Sequence, residues 1–283
     1  MHMRMNLTKF LVVAVCVNLS AIGVSSLRAD MIDNVASTGA DTLFQGSPNN
    51  SLGDPGIIVG TDSNNSFKYG LLAFNVSGIP AGATITGATL DLYIGIVAGS
   101  GSGNVMNSGN PRTISLYDES QAWGASTNAS GASSFSNHGS GSAANTGDAT
   151  WNDAAYNSNS SLATMWSASS PANITSSSVA LATTSGIPGT TSAEVQWTSA
   201  ALATEVQGWI NTPSSNNGLA LVNSNSMSAQ TFLGFWSASG ASNAGNGLAP
   251  DLVVSYVVPE PLSLSLVVFG IPILLCRRRR AIS

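Results

Sequence analysis

Short apolar segments separated by turn residues constrain the fold of this chain more than any other feature. Residues 57–59, Ile-Ile-Val, lie between two glycines, and in residues 84–97 the apolar Leu90 and Leu92 alternate with polar side chains. This alternation has the period of two that a half-buried β-strand requires. Further strands of this kind are predicted at 69–76, 114–117, 194–197, 218–223, 231–236 and 251–258. The array predicts an all-β protein, an antiparallel β-sandwich.

One segment has helical spacing instead. Leu202, Val206, Trp209 and Ile210 recur at helical spacing, which is the period of an amphipathic helix. Thr198 is the expected N-cap, and Pro213 follows the expected end. We therefore expect the sandwich to carry one short helix.

A long polar segment covers residues 119–176. Serine, glycine, asparagine and alanine dominate it, with a few aromatic residues between them. A loop of this length is usually functional or mobile.

The charged residues are few and unevenly distributed. Between residues 30 and 258 the basic residues are Lys68 and Arg112, against all but one of the fourteen acidic residues of the chain. Nucleic acid and anionic membrane surfaces are poor partners for so acidic a domain. Cys16 and Cys276 lie outside this range, so no disulfide can stabilise it and apolar burial must do so.

The N-terminal residues 1–29 have the organisation of a secretory signal peptide. Arg4 and Lys9 precede an apolar core at residues 10–17, and small residues follow. Cleavage after Ala29 or after Ser26 would suit the small-residue requirement, and Ala29 is favoured. Residues 30–257 are then the exported domain.

The C-terminal residues 258–283 have three parts: Pro-Glu-Pro, an apolar run at 262–276 and an arginine cluster at 277–280. The arginines hold the end of the chain in the cytoplasm, and a helix over the run would span about 22 Å of a hydrocarbon core of about 30 Å.

This organisation resembles the PEP-CTERM sorting signal of Gram-negative bacteria. The resemblance implies membrane insertion of the helix 262–276 and then cutting near Pro-Glu-Pro by exosortase, a membrane cysteine transpeptidase. The residues that carry the signal are Pro259, Glu260, Pro261, Arg277, Arg278, Arg279 and Arg280. An ordinary C-terminal membrane anchor is the alternative.

The order of several motifs in the domain resembles the DNRLRE domain. It runs through Gly-Ser-Pro-Asn-Asn-Ser-Leu-Gly at 46–53, Leu-Leu-Ala-Phe-Asn-Val-Ser-Gly-Ile-Pro-Ala-Gly at 71–82, Ala-Thr-Trp-Asn at 149–152, Asn-Asn-Gly-Leu-Ala-Leu at 216–221 and Asp-Leu-Val-Val-Ser-Tyr at 251–256. The resemblance implies a jelly-roll β-sandwich of a bacterial or archaeal surface protein. Some members are similar to polysaccharide-binding modules that accompany uronate-degrading enzymes.

The chain departs from that family where cations are expected. Lys68-Tyr69-Gly70 stands where many relatives carry arginine, and residues 233–237 lack the charged strand seen near the end of the family domain. Since guanidinium groups bind carboxylates in a bidentate manner, strong uronate binding is not expected.

No set of residues predicts catalysis. His138 lies in a polar loop without the Gly-x-Ser-x-Gly motif of a serine hydrolase, and we interpret it as solvated. Glu194 and Glu205 lie near aromatic residues, but Glu194 is expected to face outward from its strand and Glu205 to lie on the polar side of the helix, so a glycosidase pair is not expected. We predict that the chain is not an enzyme and has no cofactor.

Calcium and glycan stacking are the remaining site hypotheses. Asp41, Asp54 and Asp62 lie in a turn-rich region and offer the oxygen ligands that Ca²⁺ prefers, although they match no defined calcium loop. Trp166 and Trp236 lie in or beside polar stretches and are the candidate sugar-stacking residues, with a role in the core or in anchoring a loop as the favoured alternative for both.

The three other tryptophans of the domain's framework, Trp151, Trp197 and Trp209, are predicted to lie in the core. Together these features predict an exported, non-enzymatic protein of the cell envelope or extracellular matrix, with a structural or adhesive role. Its expected partners are exosortase and the export machinery. The alternative function is a neutral-polysaccharide-binding module, whose partner is an extracellular polysaccharide.

Overall fold

Antiparallel β-strands make up most of the chain in the computed structural model. The structure describes residues 28–53, 56–62, 64–97, 112–127, 140–166, 179–187, 192–223 and 231–259. Residues Asp30–Val258 form one compact unit. The predicted all-β class is confirmed.

The strands and helices have the following bounds. The strands are β1 Arg28–Phe44, β2 Asn50–Ser51, β3 Gly56–Thr61, β4 Phe67–Phe74, β5 Thr84–Val97, β6 Arg112–Asp118, β7 Ser142–Ala143, β8 Asp153–Ala155, β9 Thr164–Met165, β10 Ala182–Ile187, β11 Glu194–Thr198, β12 Leu219–Asn223, β13 Leu233–Trp236 and β14 Asp251–Pro259. The helices of the described residues are α1 Ala200–Asn211, α2 Ala238–Ala244 and a 3₁₀ turn Pro213–Ser215. Every strand that the sequence predicted is present, within about three residues at either end.

The long strand β1 takes part in two regions of the sheet. Neighbouring strands follow the order β1, β14, β5, β13, β3, β4, β12, β6, β10, with β11 also paired to β5. Beyond a register shift between Ser37 and Gly39, β1 pairs with β4 as far as Phe44 and Lys68. Ser37 marks the change of partner, because its backbone N–H donates to the carbonyl of Pro250, just before β14.

The main hydrophobic core draws on two groups of strands. Along β5, buried Leu90 and Leu92 alternate with the half-exposed Thr89 and Asp91, as the sequence predicted. Other members of this core come from β14 and from the group β4, β6 and β12, namely Leu252, Val254, Leu72, Phe74, Ile114, Leu116, Leu219 and Leu221. Burial of these apolar side chains is the main source of stability, at about 1.5–3 kcal/mol for each.

Two of the tryptophans predicted to be core are confirmed there. Trp197 and Trp209 are 0 % and 1 % exposed. The indole N–H of Trp197 donates to the carbonyl of Ile114 at 2.9 Å, so burial leaves no unpaired donor on this ring. Phe235 meets Trp197 edge-on, with the ring centroids 5.9 Å apart.

Helix α1 confirms the predicted helix but not its predicted N-cap. Ser199 is the N-cap, and its hydroxyl accepts a hydrogen bond from the backbone N–H of Leu202 at 2.9 Å. Thr198 is instead the last residue of β11, where it pairs with Thr89 of β5. Leu202, Val206 and Trp209 form the buried face of α1, as predicted, whereas Ile210 is only half-buried.

The prediction of a single helix was wrong, because α2 is also present. Its sequence, Ala-Ser-Gly-Ala-Ser-Asn-Ala, has no apolar periodicity, so the pattern gave no sign of it. The ends are determined by capping: the Ser237 hydroxyl accepts from Gly240 N–H, and Gly245 ends the helix with a left-handed backbone at φ 62°.

The two terminal signals lie largely outside the described residues. Residues 1–27 and 260–283 are not described, and these include Glu260, Pro261 and the arginine cluster. Of the positions next to the predicted cuts, Ala29 belongs to β1 and Pro259 is the last residue of β14. No helix within the described ranges has the length and apolar character needed to cross a membrane.

Candidate functional site

The described parts of the 119–176 segment pack against the sheet. In β4, Leu72 belongs to the main core, whereas its neighbour Leu71 belongs to a second cluster. We call this second group the outer cluster; its buried members are Leu43, Leu71, Ala149, Ala154, Trp166 and Ala220. Three of the six come from the 119–176 segment, so this part of the polar segment is anchored by apolar contacts.

Asp148 connects three parts of the chain through its buried carboxylate. One oxygen accepts from the backbone N–H and the hydroxyl of Thr127, both at 2.8 Å. The other accepts from the Ser51 hydroxyl at 3.0 Å and from Asn145 N–H at 2.9 Å. Four hydrogen bonds to one charged group hold the segment onto the region around β2.

Asp41 is a second buried carboxylate beside Asp148. Its Oδ1 accepts from the backbone N–H groups of Thr42 at 2.6 Å and Leu52 at 3.0 Å. Burial raises the pKa of Asp41 well above its ordinary range despite these bonds, and repulsion from Asp148 adds to the increase. Asp41 is therefore a buried structural group with restricted access to solvent.

The two candidate calcium-binding aspartates that the structure describes, Asp41 and Asp62, have different surroundings. Asp62 binds the ammonium of Lys68 at 2.6 Å, and Asp41 is held by backbone N–H groups, so the two have different partners. Asp54 lies outside the described residues. Within the described ranges, no three histidine, cysteine or acidic side chains are grouped so that they could hold a metal ion.

Three aromatic side chains form a continuous surface that we call the aromatic patch: Phe67, Tyr69 and Trp151. Phe67 and Tyr69 are two residues apart on β4, with ring centroids 6.1 Å apart. Trp151 comes from the 119–176 segment and its ring lies 5.3 Å from that of Tyr69. All three are half-buried, so each ring is supported by the protein and still partly open to solvent.

The two candidate stacking tryptophans have different environments. Trp166 is only 5 % exposed and its indole N–H donates to the carbonyl of Thr150, which agrees with the core or loop-anchoring interpretation and not with sugar stacking. Its neighbours in the sequence are polar, so no local pattern indicated its apolar contacts in the outer cluster. Trp236 ends β13 and is partly exposed, so it stays a candidate. Trp151, predicted to be core, is only half-buried.

Both basic residues of the domain are buried. Lys68 and Arg112 are each 2 % exposed. Lys68 binds Asp62 and lies 5.8 Å from the ring centroid of Phe44. Desolvation lowers the pKa of Arg112. Neither cation is therefore accessible on the surface to bind an acidic ligand.

The two carboxylates considered for catalysis, Glu194 and Glu205, have different surroundings. Glu194 is exposed on β11 and accepts from the Tyr93 hydroxyl at 3.2 Å. Glu205 lies on α1, and burial raises its pKa, with Asp118 adding to the effect. His138 lies outside the described residues.

A shallow pocket of about 280 Å³ lies where α1 ends. Its lining includes Asn75, Ile79, Trp209 and Pro213. Trp209 contributes little accessible surface because it is 1 % exposed. The aromatic patch offers more accessible ring surface than this pocket.

No protein-family model matches the chain, and no curated protein matches its sequence. The candidate site therefore depends on the geometry described above.

Proposed function

We propose that this chain is an exported, non-enzymatic protein of the cell envelope or extracellular matrix, with a structural or adhesive role. Support comes from the signal-peptide pattern of residues 1–29 and the PEP-CTERM pattern of residues 258–283. An exosortase-type system would cut the chain near Pro259 after the C-terminal helix enters the membrane. The final location is then the envelope or the matrix.

The burial of Lys68 and Arg112 is the structural observation that supports an extracellular, structural role. Since they are the basic residues of the domain, its surface offers hydroxyls, amides and carboxylates. Such a surface is hydrated without fixed cations, and it repels nucleic acid and anionic lipid. These properties suit a protein that stays soluble among extracellular polymers.

We also infer that the domain is a jelly-roll-like β-sandwich of the DNRLRE type. Two groups of antiparallel strands contribute side chains to one core, and β1 pairs with both groups. Sheets that pack face to face share a core in this way. The resemblance of the motif order between residues 46 and 256 to the DNRLRE domain points to the same architecture.

A neutral-polysaccharide-binding module is the second candidate function. The observation that favours it is the aromatic patch, because half-buried rings on a surface without accessible cations can hold a sugar by stacking. An adhesive role and this activity are compatible.

Cell fractionation followed by intact-mass measurement tests export and processing. We expect the mature protein in the envelope or the medium, beginning near Asp30 and ending between Pro259 and Pro261. Replacement of the four arginines at 277–280 by serine should leave the C-terminal tail uncut. A full-length protein in the cytosol would overturn the proposal, whereas an intact tail in the membrane fraction would show an ordinary anchor.

A further inference from the structure

The aromatic patch is a row of three neighbouring, half-buried aromatic rings among the residues that the structure describes. Phe67, Tyr69 and Trp151 follow one another at 6.1 Å and 5.3 Å, with interplanar angles of 33° at both steps. Each step is comparable with the length of one sugar ring. A row of three partly exposed rings can therefore contact more than one unit of a linear polymer.

Apolar contacts support two of the three rings of the patch from below. Tyr69 and Trp151 both pack against the outer cluster, which joins β4 to the 119–176 segment. Rings held in this way lose little conformational freedom when a ligand binds, so more of the contact energy appears as affinity.

Side-chain amides lie next to the rings. Asn152, which follows Trp151, donates from Nδ2 to Oδ1 of Asn49 at 3.1 Å. On the other side, Oε1 of Gln45 accepts from the backbone N–H of Phe67 at 3.0 Å. Asn49, Gln45 and Asn152 are exposed. An amide both donates and accepts hydrogen bonds, as a sugar hydroxyl does.

The charge distribution decides between ligand classes. Lys68, although adjacent to both β4 rings in sequence, points to the opposite side of the strand and is buried against Asp62. Arg112 is buried as well. An acidic glycan would meet no accessible cation in the described domain, whereas a neutral glycan needs none.

We propose that the aromatic patch binds a neutral polysaccharide. Consecutive hexopyranose units stack their C–H faces on Trp151, Tyr69 and Phe67, while the neighbouring amides bond to the hydroxyl groups. This site would supply the adhesive contact of the proposed function, and it depends on export of the protein to a place where such polymers occur.

Binding to insoluble neutral polysaccharides tests the site. Full-length protein purified in mild detergent is mixed with β-1,4-glucan, β-1,3-glucan and β-1,4-mannan, with a polyuronate for comparison. We expect binding to at least one neutral polymer, with little dependence on salt because stacking is not screened. Trp151→Ala should weaken it roughly tenfold or more, whereas Trp151→Phe, which keeps a ring, should retain most of it.

The matched control is Tyr93→Ala, which removes a half-buried aromatic ring on β5, beside Glu194, and should leave binding unchanged. Trp236→Ala is measured as well, because Trp236 is the other candidate stacking residue. Melting curves are recorded for each variant, and Phe67→Ala replaces Trp151→Ala if the latter does not fold. Three results would overturn the proposal. The protein could bind none of the neutral polymers, or it could prefer the polyuronate and lose that binding steeply as salt is added. Binding could also be weakened by Trp236→Ala and not by Trp151→Ala. A correctly exported and processed protein that binds no neutral polymer would leave the structural role intact and reject only the glycan site.

Discussion

Individual side chains in this domain have environments that their sequence neighbours do not reveal. Trp197 and Trp151 both lie in framework motifs, yet one is fully buried and the other half-buried. Trp197 is enclosed between β5, β6 and β13 and makes a hydrogen bond to Ile114. Trp151 covers the outer cluster from the solvent side. Their contributions to stability should differ accordingly.

Trp197→Ala should lower the free energy of unfolding by about 3–5 kcal/mol, because it leaves a large cavity in the main core. Trp151→Ala should cost about half as much or less, since part of that ring already contacts water. Denaturation in urea measures both. Equal losses for the two variants would show that the ring of Trp151 is buried as deeply as that of Trp197.

The buried Glu119 should make the stability of the protein depend on pH in an unusual way. It is 3 % exposed, and neither carboxyl oxygen has a hydrogen-bond partner among the described residues. Burial raises the pKa of Glu119 well above the ordinary 4.5, and the charge of Asp118 adds to the increase. The folded state therefore keeps a proton that the unfolded state releases, so stability falls as pH rises above about 4.5.

Glu119→Gln should remove this effect, because an amide of the same shape does not ionise. The variant should be more stable than the parent at pH 7, and its melting temperature should fall less between pH 5 and pH 7. Glu194→Gln, on the exposed face of β11, is the control for loss of a carboxylate. A pH profile identical to the parent's would show that Glu119 does not resist ionisation in the folded state.

Among the elements, α1 shows how a short helix is attached to a β domain. The Ser199 hydroxyl caps Leu202 N–H and also donates to the carbonyl of Leu181. One side chain thus ends β11, begins α1 and contacts the chain just before β10.

Ser199→Ala should lower stability by about 1–2 kcal/mol, since it removes the cap and leaves the carbonyl of Leu181 without this donor. Thr198→Ala, one residue earlier, should cost distinctly less because its hydroxyl bond to Thr89 is exposed to solvent. Thermal melts of the two variants separate these positions. A larger loss for Thr198→Ala would identify threonine as the true N-cap.

The 119–176 segment depends on Asp148 for its attachment. Asp148→Asn puts an NH₂ group where a carboxylate oxygen accepted hydrogen bonds from two donors. This change should lower the free energy of unfolding by about 2–4 kcal/mol, and it should make limited proteolysis within the segment faster. Thr127→Val removes only one of the four bonds and should cost about 1 kcal/mol. Unchanged proteolysis in Asp148→Asn would show that the apolar outer cluster alone holds the segment.

At the scale of the whole molecule, stability comes from apolar burial without covalent cross-links. The domain between residues 30 and 258 has no cysteine, and its two cations serve the interior. A reductant should therefore leave the melting temperature of the protein unchanged. Calorimetry with and without dithiothreitol tests this, and a fall in melting temperature would reveal a cross-link through Cys16 or Cys276.

The sequence predicted strands where the strand itself carries the signal. Predicted residues 84–97 match β5 at both ends, because apolar and polar residues alternate along it. The polar strand β1 was missed, since its pairing with β14 and β4 depends on partners far along the chain. Helix α2 was missed for a related reason. Its caps come from neighbouring residues, but the burial of Gly240 and Ala241 depends on contacts with distant parts of the chain.

The sequence by itself determined the all-β class, the core face of α1 and the scarcity of cations, because these follow from residue identity and local periodicity. The tertiary structure decided that Trp166 is buried, that Lys68 and Arg112 are both internal and that Trp151 meets Tyr69. Each of these depends on how the 119–176 segment and distant strands pack together. Such long-range contacts lower the free energy only once the chain has folded, so no local pattern records them.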